Sequence, residues 1–377
     1  MGMNSLSREE LNRYSRHILL PEINVEGQTK LKNSRVLVAG AGGLGSPALM
    51  YLAAAGVGTL GIAEFDTIEL SNLQRQVLFQ TNQVGQSKLK VAAERLEQIN
   101  SAINIKQHFG RIKAQNIMSI ISGYDLVVDG TDNFATRYLL NDACVLSGKP
   151  YIYGAIHRFE GQVSVFAPGG PCYRCLFPDP PKDGAIANCS EAGVLGVIAG
   201  IIGSLQALEA IKTILQLGTT LRGRLIVFDA LNFLQDELKI KRNSNCPVCG
   251  DNPSITSLKD ENIMCPTQAN SEMTAKELKS AIDAGRDLTL LDVRTDAEVA
   301  MCQIPNSIHI PLQELPARML ELQDLKESNK ELLIYCKSGM RSLSAQEFLN
   351  QNGFKNVLNL TGGIKSWAKD VDPSMHV

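Results

Sequence analysis

The stretch VLVAGAGGLGSPALMYLAAA, residues 36–55, decides the fold. An apolar strand covers 36–41, glycines crowd the turn at Gly40, Gly42, Gly43 and Gly45, and a helical pattern continues to Ala55. Glycines in that place let backbone N–H groups approach phosphates at a helix N-terminus. The spacing serves a dinucleotide equally well, so the turn alone does not separate ATP from NAD. Outward from it, TLGIAEFD (59–66) reads as a strand and SKLKVAAERLEQIN (87–100) as an amphipathic helix. INIKQHFG (103–110) follows as a strand, NIMSIISG (116–123) as a helix, and DLVVDGTDN (125–133) as a strand. Such alternation predicts an α/β fold, a Rossmann-like doubly wound parallel sheet with ligands beyond the carboxyl ends of its strands.

An acid about twenty residues past the glycines holds a ribose hydroxyl in such sheets, and Glu64 and Asp66 both qualify. The next residues depart from a dehydrogenase. Ser71-Asn72-Leu73-Gln74-Arg75 comes directly after the acids, and Lys88 opens the following helix. Breaking a triphosphate needs cations to offset its charge, a task for Arg75 and Lys88, with Asn72 positioning a phosphate oxygen. Asp132 and Asn133 offer hard oxygen ligands suited to magnesium. Arg16, far upstream in RYSRH, is a further basic candidate. Taken singly, each cation could be a solvated surface charge and Asp132 a helix cap. The ordered combination argues for a nucleotide site.

Nine cysteines include two CxxC pairs, Cys172/Cys175 and Cys246/Cys249, about seventy residues apart. Four thiolates at that spacing make a closed tetrahedral zinc site of the structural kind, pinning the segment after the sixth strand to the end of the domain. Four buried thiols is the plainer reading. Cys189 sits where a Pro-, Asp- and Gly-rich loop joins an apolar helix, a place that lowers a thiol pKa, although a small residue packed beside glycines fits there too. Cys144, within LLNDACVLSG, reads as core.

These motifs, together with CYRCLFP and NCPVCG, closely resemble the adenylyltransferases that activate ubiquitin-like sulfur carriers, and the related ubiquitin-activating enzymes. The resemblance covers about residues 5–250. It implies that ATP is gripped by Gly43, Ser71, Asn72, Leu73, Gln74, Arg75 and Lys88, with magnesium at Asp132, Asn133 nearby, and ribose at position 64. That last position is usually Asp in the family, whereas this chain has Glu64. It further implies a homodimer in which Arg16 reaches the partner subunit's ATP, and a carrier that Cys189 can bond covalently.

Residues 251–273 are polar, with two prolines and little periodicity. Beyond them, TAKELKSAIDAG, LTLLDVR, ELLIYC, RSLSAQEFLNQNG and NVLNL alternate helix, strand, strand, helix, strand. The expected division is 1–255, a linker at 256–273, and a small α/β domain at 274–377. LDVRTDAEV, IHIPL, IYCKSGMRS and LTGGIKSW resemble the rhodanese domain. The resemblance makes Cys336 the sulfur acceptor, loaded by a persulfide donor. The loop Cys336-Lys337-Ser338-Gly339-Met340-Arg341 is an anion-binding nest, to which Arg341 adds positive potential. A tyrosine-phosphatase loop also runs from Cys to Arg, but with five intervening residues against four here. Cys302-Gln303-Ile-Pro-Asn306 replaces the usual Gly-His-Ile-Pro-Gly, leaving Cys302 as a packing thiol and Asn306 in the turn. Asp292 and Arg294 are expected to hold the Cys336 loop by hydrogen bonds.

At 377 residues, 44% hydrophobic and 20% charged, the composition is that of a two-domain globular chain. A net charge of −2 argues against nucleic acid or an anionic membrane as partner. The N-terminus has no apolar signal core, and Val194–Leu205 is expected to be too short for a bilayer, which makes cytoplasm the default.

Overall fold

The computed structural model describes residues 6–180, 193–259, 272–328, 330–375 and 377. Cys189 lies outside them, so its expected role stands on sequence alone. The chain divides into two compact units.

In the first unit, helices α1 (Arg8–Arg13), α2 (Ser15–Ile18) and α3 (Asn24–Asn33) precede β1 (Arg35–Ala39). The order continues α4 (Gly45–Ala55), β2 (Thr59–Glu64), α5 (Lys88–Ile99), β3 (Asn104–Phe109), α6 (Ile117–Ser122), β4 (Leu126–Asp129) and α7 (Phe134–Leu146). Then come β5 (Tyr151–His157), β6 (Glu160–Phe166), α8 (Tyr173–Leu176), α9 (Gly196–Leu215), β7 (Arg224–Asp229) and β8 (Leu234–Lys239). The eight strands lie in the order β3-β2-β1-β4-β5-β6-β7-β8. The first five run parallel and the last three antiparallel. Along β1, Val36 and Val38 enter the core beneath α4 and α5, while Leu37 and Ala39 face the core that holds α6 and α7. A strand buried on both faces needs apolar residues throughout, which is why 36–39 read as an unbroken apolar run. The doubly wound expectation holds.

The glycine turn is fixed by sterics. Gly40 has φ +91, and a Cβ there would come 2.7 Å from the Gly130 carbonyl oxygen. A Cβ on Gly45 would collide with the Gly40 carbonyl oxygen, so α4 begins closer to β1 than any side chain permits.

The apolar stretch is longer than expected. Helix α9 spans 20 residues with a mean hydropathy of 1.5, enough by length and composition to cross a bilayer. Its placement is that of a core helix. Gln206 Nε2 donates to the carbonyls of Asp129 (2.6 Å) and Ile152 (3.2 Å), and buried Glu209 accepts from the Leu221 N–H (2.7 Å). Gly203 lets α9 press against the Leu44 carbonyl.

The second unit has β9 (Glu272–Met273), α10 (Ala275–Asp283), β10 (Leu288–Asp292), α11 (Asp296–Val299), β11 (Ser307–His309), α12 (Leu315–Arg318) and α13 (Gln323–Glu327). It closes with β12 (Glu331–Tyr335), α14 (Met340–Gln351), β13 (Val357–Leu360) and α15 (Gly363–Asp370). Its sheet order is β11-β10-β12-β13-β9, all parallel. Reciprocal capping boxes at Thr274/Glu277 and Thr295/Glu298 start α10 and α11. Asn306 has φ 63, a left-handed turn that Asn tolerates in place of glycine.

Candidate functional site

Beyond the carboxyl ends of β1, β2 and β4, the first unit gathers a set of charges. The stem of Arg75 covers the glycine turn, its Cγ and Cδ 3.5 Å from where a Gly43 Cβ would stand. Its Nη1 donates to the Ser71 carbonyl at 3.0 Å, which holds the guanidinium over the turn. Asn72 is buried; its Oδ1 accepts the Glu69 N–H at 3.0 Å, and its NH2 has no partner among the described residues. Leu73 packs into the core, and the Gln74 carbonyl abuts Gly196. The Gln74 side chain itself is exposed.

Lys88 is 5% exposed and stands at the first position of α5, where Ser87 caps the helix. Its Nζ is 3.5 Å from Asp66 Oδ2. Burial raises the Asp66 carboxyl above its ordinary range, Lys88 pulls it back, and Glu64 and Asp132 push it further up. One field therefore joins Glu64, Asp66, Lys88 and Asp132. Asp132 is exposed and makes no hydrogen bond or ion pair among the described residues. The helix cap is Asn133, whose Oδ1 accepts the Thr136 N–H at 2.9 Å, so capping does not occupy the Asp132 oxygens. The Glu64 carboxylate is heavily used: Oε2 accepts the Ala41 N–H (2.9 Å), and Oε1 accepts those of Phe65 (2.8 Å) and Asp66 (3.0 Å). Its longer arm reaches back to brace the glycine turn. Arg16 is exposed on α2, and no contact among the described residues joins it to this cluster.

The four CxxC sulfurs lie within 4.8 Å of one another. Cys172 is 4.0 Å from Cys175 and 3.6 Å from Cys246, and Cys175 is 3.3 Å from Cys249. A tetrahedron of Zn–S bonds has sulfur-to-sulfur edges of about 3.8 Å, so the cluster fits a metal of that size. Hydrogen bonds from the Cys172 thiol and the Asn243 N–H lower Cys175, while sharing that proton raises Cys172. Arg242 donates to the Cys249 carbonyl at 3.0 and 2.7 Å, bringing positive charge beside the thiols. The cluster is tied to α7. Arg174, inside the first CxxC, grips buried Asp142 in a fork at 2.8–3.1 Å, and the Tyr173 N–H donates to Asn141 Oδ1 at 2.8 Å.

In the second unit Cys336 directly follows β12, fully buried. Gly339 (φ +96) turns the chain into α14, and its N–H points at Cys336 Sγ from 3.1 Å. The Ser342 hydroxyl is 3.4 Å from the same sulfur. Arg341 departs from expectation. Its guanidinium forms two 2.7 Å bonds with Glu298, so its charge is neutralised, and it ties the Cys336 loop to α11. Asp292 and Arg294 also differ from expectation. Arg294 forks onto Asp292 (2.6–3.1 Å) and donates to the Cys302 carbonyl (2.7 Å), which orders the 298–302 turn. Cys302 is half-buried and packs against the core, 3.8 Å from Arg294 Nη1.

The family model described as ThiF family matches residues 14–248. The chain belongs to the ThiF family. Past the ThiF region, a Rhodanese-like domain matches residues 274–370. The probable adenylyltransferase/sulfurtransferase MoeZ of Mycobacterium tuberculosis is 44% identical, over 99% of this chain and 96% of its own. The adenylyltransferase and sulfurtransferase MOCS3 of Aedes aegypti is 41% identical, over 100% of this chain and 90% of its own. Among solved structures, Escherichia coli MccB with ATP superposes at a TM-score of 0.56 and 25% identity, covering 63% of this chain and 74% of that one. The ThiF-family chain is an adenylyltransferase and a sulfurtransferase.

Several residues of this ThiF-family chain escaped the sequence reading. Asp66, a ribose candidate by its spacing, is the carboxylate facing Lys88. Asp129, in the same VDGTDN run, is fully buried against Arg137 (3.1 Å) and Tyr151 (2.6 Å), which fixes the strand end that carries Asp132. Glu298 is legible in the sequence only as the acid of a capping box; its pairing with Arg341, 43 residues on, has no local signal. Burial alone would raise Glu298, but the Arg341 and Thr295 hydrogen bonds hold it down to about 2. A depressed carboxyl stabilises the fold fully above its ordinary value of 4.5 and loses that contribution as pH falls toward about 2. Trp367, the single tryptophan, is buried in this unit and reports on it alone. Glu298→Gln should therefore lower the unit's stability near neutral pH by about 1–3 kcal/mol, and flatten its loss between those pH values. Denaturation followed by Trp367 fluorescence reads both; equal stability of the two proteins at pH 7 would contradict the assignment.

Proposed function

We propose that the first unit adenylylates the C-terminal carboxylate of a ubiquitin-like sulfur carrier protein with ATP, and that the second passes sulfur to it from a Cys336 persulfide. One observation carries the first half: Lys88, Asp66 and Asp132 share a field beside a glycine turn that Arg75 covers. A carboxylate oxygen attacks the α-phosphorus, the bond to the bridging oxygen breaks, and pyrophosphate leaves with its electron pair. Arg75 and Lys88 offset the phosphate charge, the Asn72 NH2 orients an oxygen, and the turn's N–H groups line the phosphates. Asp132 would hold magnesium, which supplies further charge neutralisation when bound. The Glu64 carboxylate reaches ribose while keeping its backbone bonds, since each oxygen accepts more than one donor. Exposed Arg16, without a contact among the described residues, suits a residue that completes the site of a second subunit in a homodimer.

In the second half, the terminal sulfur of the persulfide attacks the acyl-adenylate carbonyl, AMP leaves, and an acyl disulfide to Cys336 remains. A thiol reductant then cleaves that S–S bond and leaves a thiocarboxylate on the carrier. Cys189 is the residue that would bond the activated carrier covalently, as a thioester or mixed persulfide. Tethering through 256–273 raises the local persulfide concentration near a hydrolysable adenylate. The setting is the cytoplasm, whose thiol pool supplies a persulfide donor and reductant.

Carrier-dependent exchange of labelled pyrophosphate into ATP tests the first half. Mass spectrometry of the carrier's C-terminus, seeking sulfur in place of oxygen, tests the second. Exchange that ignores the carrier would remove the proposal. The four-cysteine cluster holds zinc in this reading, with Arg242 and the Asn243 N–H in support. Metal analysis should return about one zinc per chain, and Cys246→Ser should lose it together with several kcal/mol of stability. A variant that kept its metal would contradict the ligand set.

A further inference from the structure

Among the described residues, two donors reach Cys336 Sγ: the Gly339 N–H at 3.1 Å and the Ser342 hydroxyl at 3.4 Å. Ser342 is fully buried, in the first turn of α14. The same Oγ lies 3.0 Å from the Gly339 carbonyl oxygen. A hydroxyl has one proton, so it can serve only one of these acceptors at a time. A neutral thiol accepts weakly and loses to the carbonyl; a thiolate is charged and wins. We propose that Ser342 is a positioning residue for sulfur transfer, its proton turning from the Gly339 carbonyl to Cys336 Sγ whenever that sulfur is an anion. The proposal rests on the reading of Cys336 as the sulfur acceptor.

The charge on Sγ changes in a definite order. In loading, the Sγ thiolate attacks the outer sulfur of a sulfane donor such as thiosulfate. An S–S bond forms to Cys336, the donor's S–S bond breaks, and sulfite leaves with the electron pair. The negative charge then sits on the terminal sulfur, and the Ser342 proton returns to the Gly339 carbonyl. In discharge to cyanide, cyanide carbon attacks the terminal sulfur, thiocyanate departs, and the bonding pair returns to Sγ as thiolate. Both half-reactions have the Sγ anion at one end, which is where the hydroxyl acts. Gly339 donates to Sγ throughout, because its N–H is fixed by the turn. Of these two donors, Ser342 is the one that can follow the charge.

The plainer account is a serine bonding the carbonyl three residues back, as serines in helices often do. Thiosulfate and cyanide, used as probes on the full chain, separate the two. Ser342→Ala should lower kcat about tenfold with KM for thiosulfate unchanged, and Ser342→Thr, which keeps the hydroxyl, should restore most of the rate. Native Trp367 fluorescence checks that the unit is folded; should the alanine variant lose it, Ser342→Cys, of similar size and a weaker donor, repeats the comparison. A wild-type kcat in the variant lacking the hydroxyl would overturn the proposal, as would a loss that Ser342→Thr fails to recover. Thiocyanate production surviving in Cys336→Ser would instead strike the parent reading.

Discussion

Lys88→Ala will lower carrier-dependent ATP–pyrophosphate exchange by about a thousandfold or more, while leaving thiosulfate-to-cyanide sulfur transfer unchanged. The size follows from where the ammonium sits. Lys88 is almost wholly buried and is the cation facing Asp66, in a field that also contains Glu64 and Asp132. Removing it leaves the negative side chains without that counter-charge, in the place where a triphosphate would add several more. ATP binding weakens by simple repulsion, and the transition state suffers more, because charge on the leaving pyrophosphate grows as the bond breaks. Lys88→Arg keeps the charge but replaces a compact ammonium with a wider planar fork, and should recover only part of the rate. Arg75→Ala should lose activity to a similar degree, since its stem lies on Gly43 and its guanidinium is held over the turn by the Ser71 carbonyl. Far-UV circular dichroism supplies the control: an unchanged spectrum shows that the first unit keeps its fold. Exchange close to wild type in both variants, with the fold intact, would end the assignment of the nucleotide site.

How much of this was readable beforehand depended on the range of the physics involved. Strand 36–39 and helix 45–55 were legible because a strand buried on both faces must be apolar at every position, and because only glycine satisfies φ +91 at position 40. Local spacing likewise showed the two CxxC pairs, whose sulfurs the fold brings within 4.8 Å of one another across some seventy residues. Long-range pairings were another matter. Nothing local marks Glu298 as the partner of Arg341, or Asp142 as the partner of Arg174; both are set by which helices the sheets place side by side. The expectation that Arg341 lends charge to Cys336 failed for this reason. The length of α9 was missed because its glycines, at 196, 200 and 203, looked like breaks, whereas Gly196 and Gly203 are points of close contact with Gln74 and Leu44. Asp132 shows the opposite case: the sequence offered it as either a cap or a metal ligand, and the structure gives the cap to Asn133.

Cys336→Ser should abolish formation of carrier thiocarboxylate and of thiocyanate, with pyrophosphate exchange unchanged. The substitution is nearly isosteric, and serine can still accept the Gly339 N–H, so the loop survives. What it removes is chemistry. A serine hydroxyl has no thiolate form near neutral pH, and it cannot form the S–S bond that stores the transferred sulfur. The loss should therefore be complete at every donor concentration, where a merely displaced loop would show a raised KM that excess thiosulfate overcomes. With ATP and carrier present, the variant should stall with the carrier adenylylated, visible by mass spectrometry as AMP on its C-terminus. That intermediate would decay by hydrolysis to the free carboxylate, because no persulfide arrives to intercept it. Thiocarboxylate appearing at the normal rate would mean that another sulfur attacks the adenylate, and that the nest around Cys336 serves some other anion. The stalled adenylate would instead place both chemistries in one chain, in the order that the charges in its two units require.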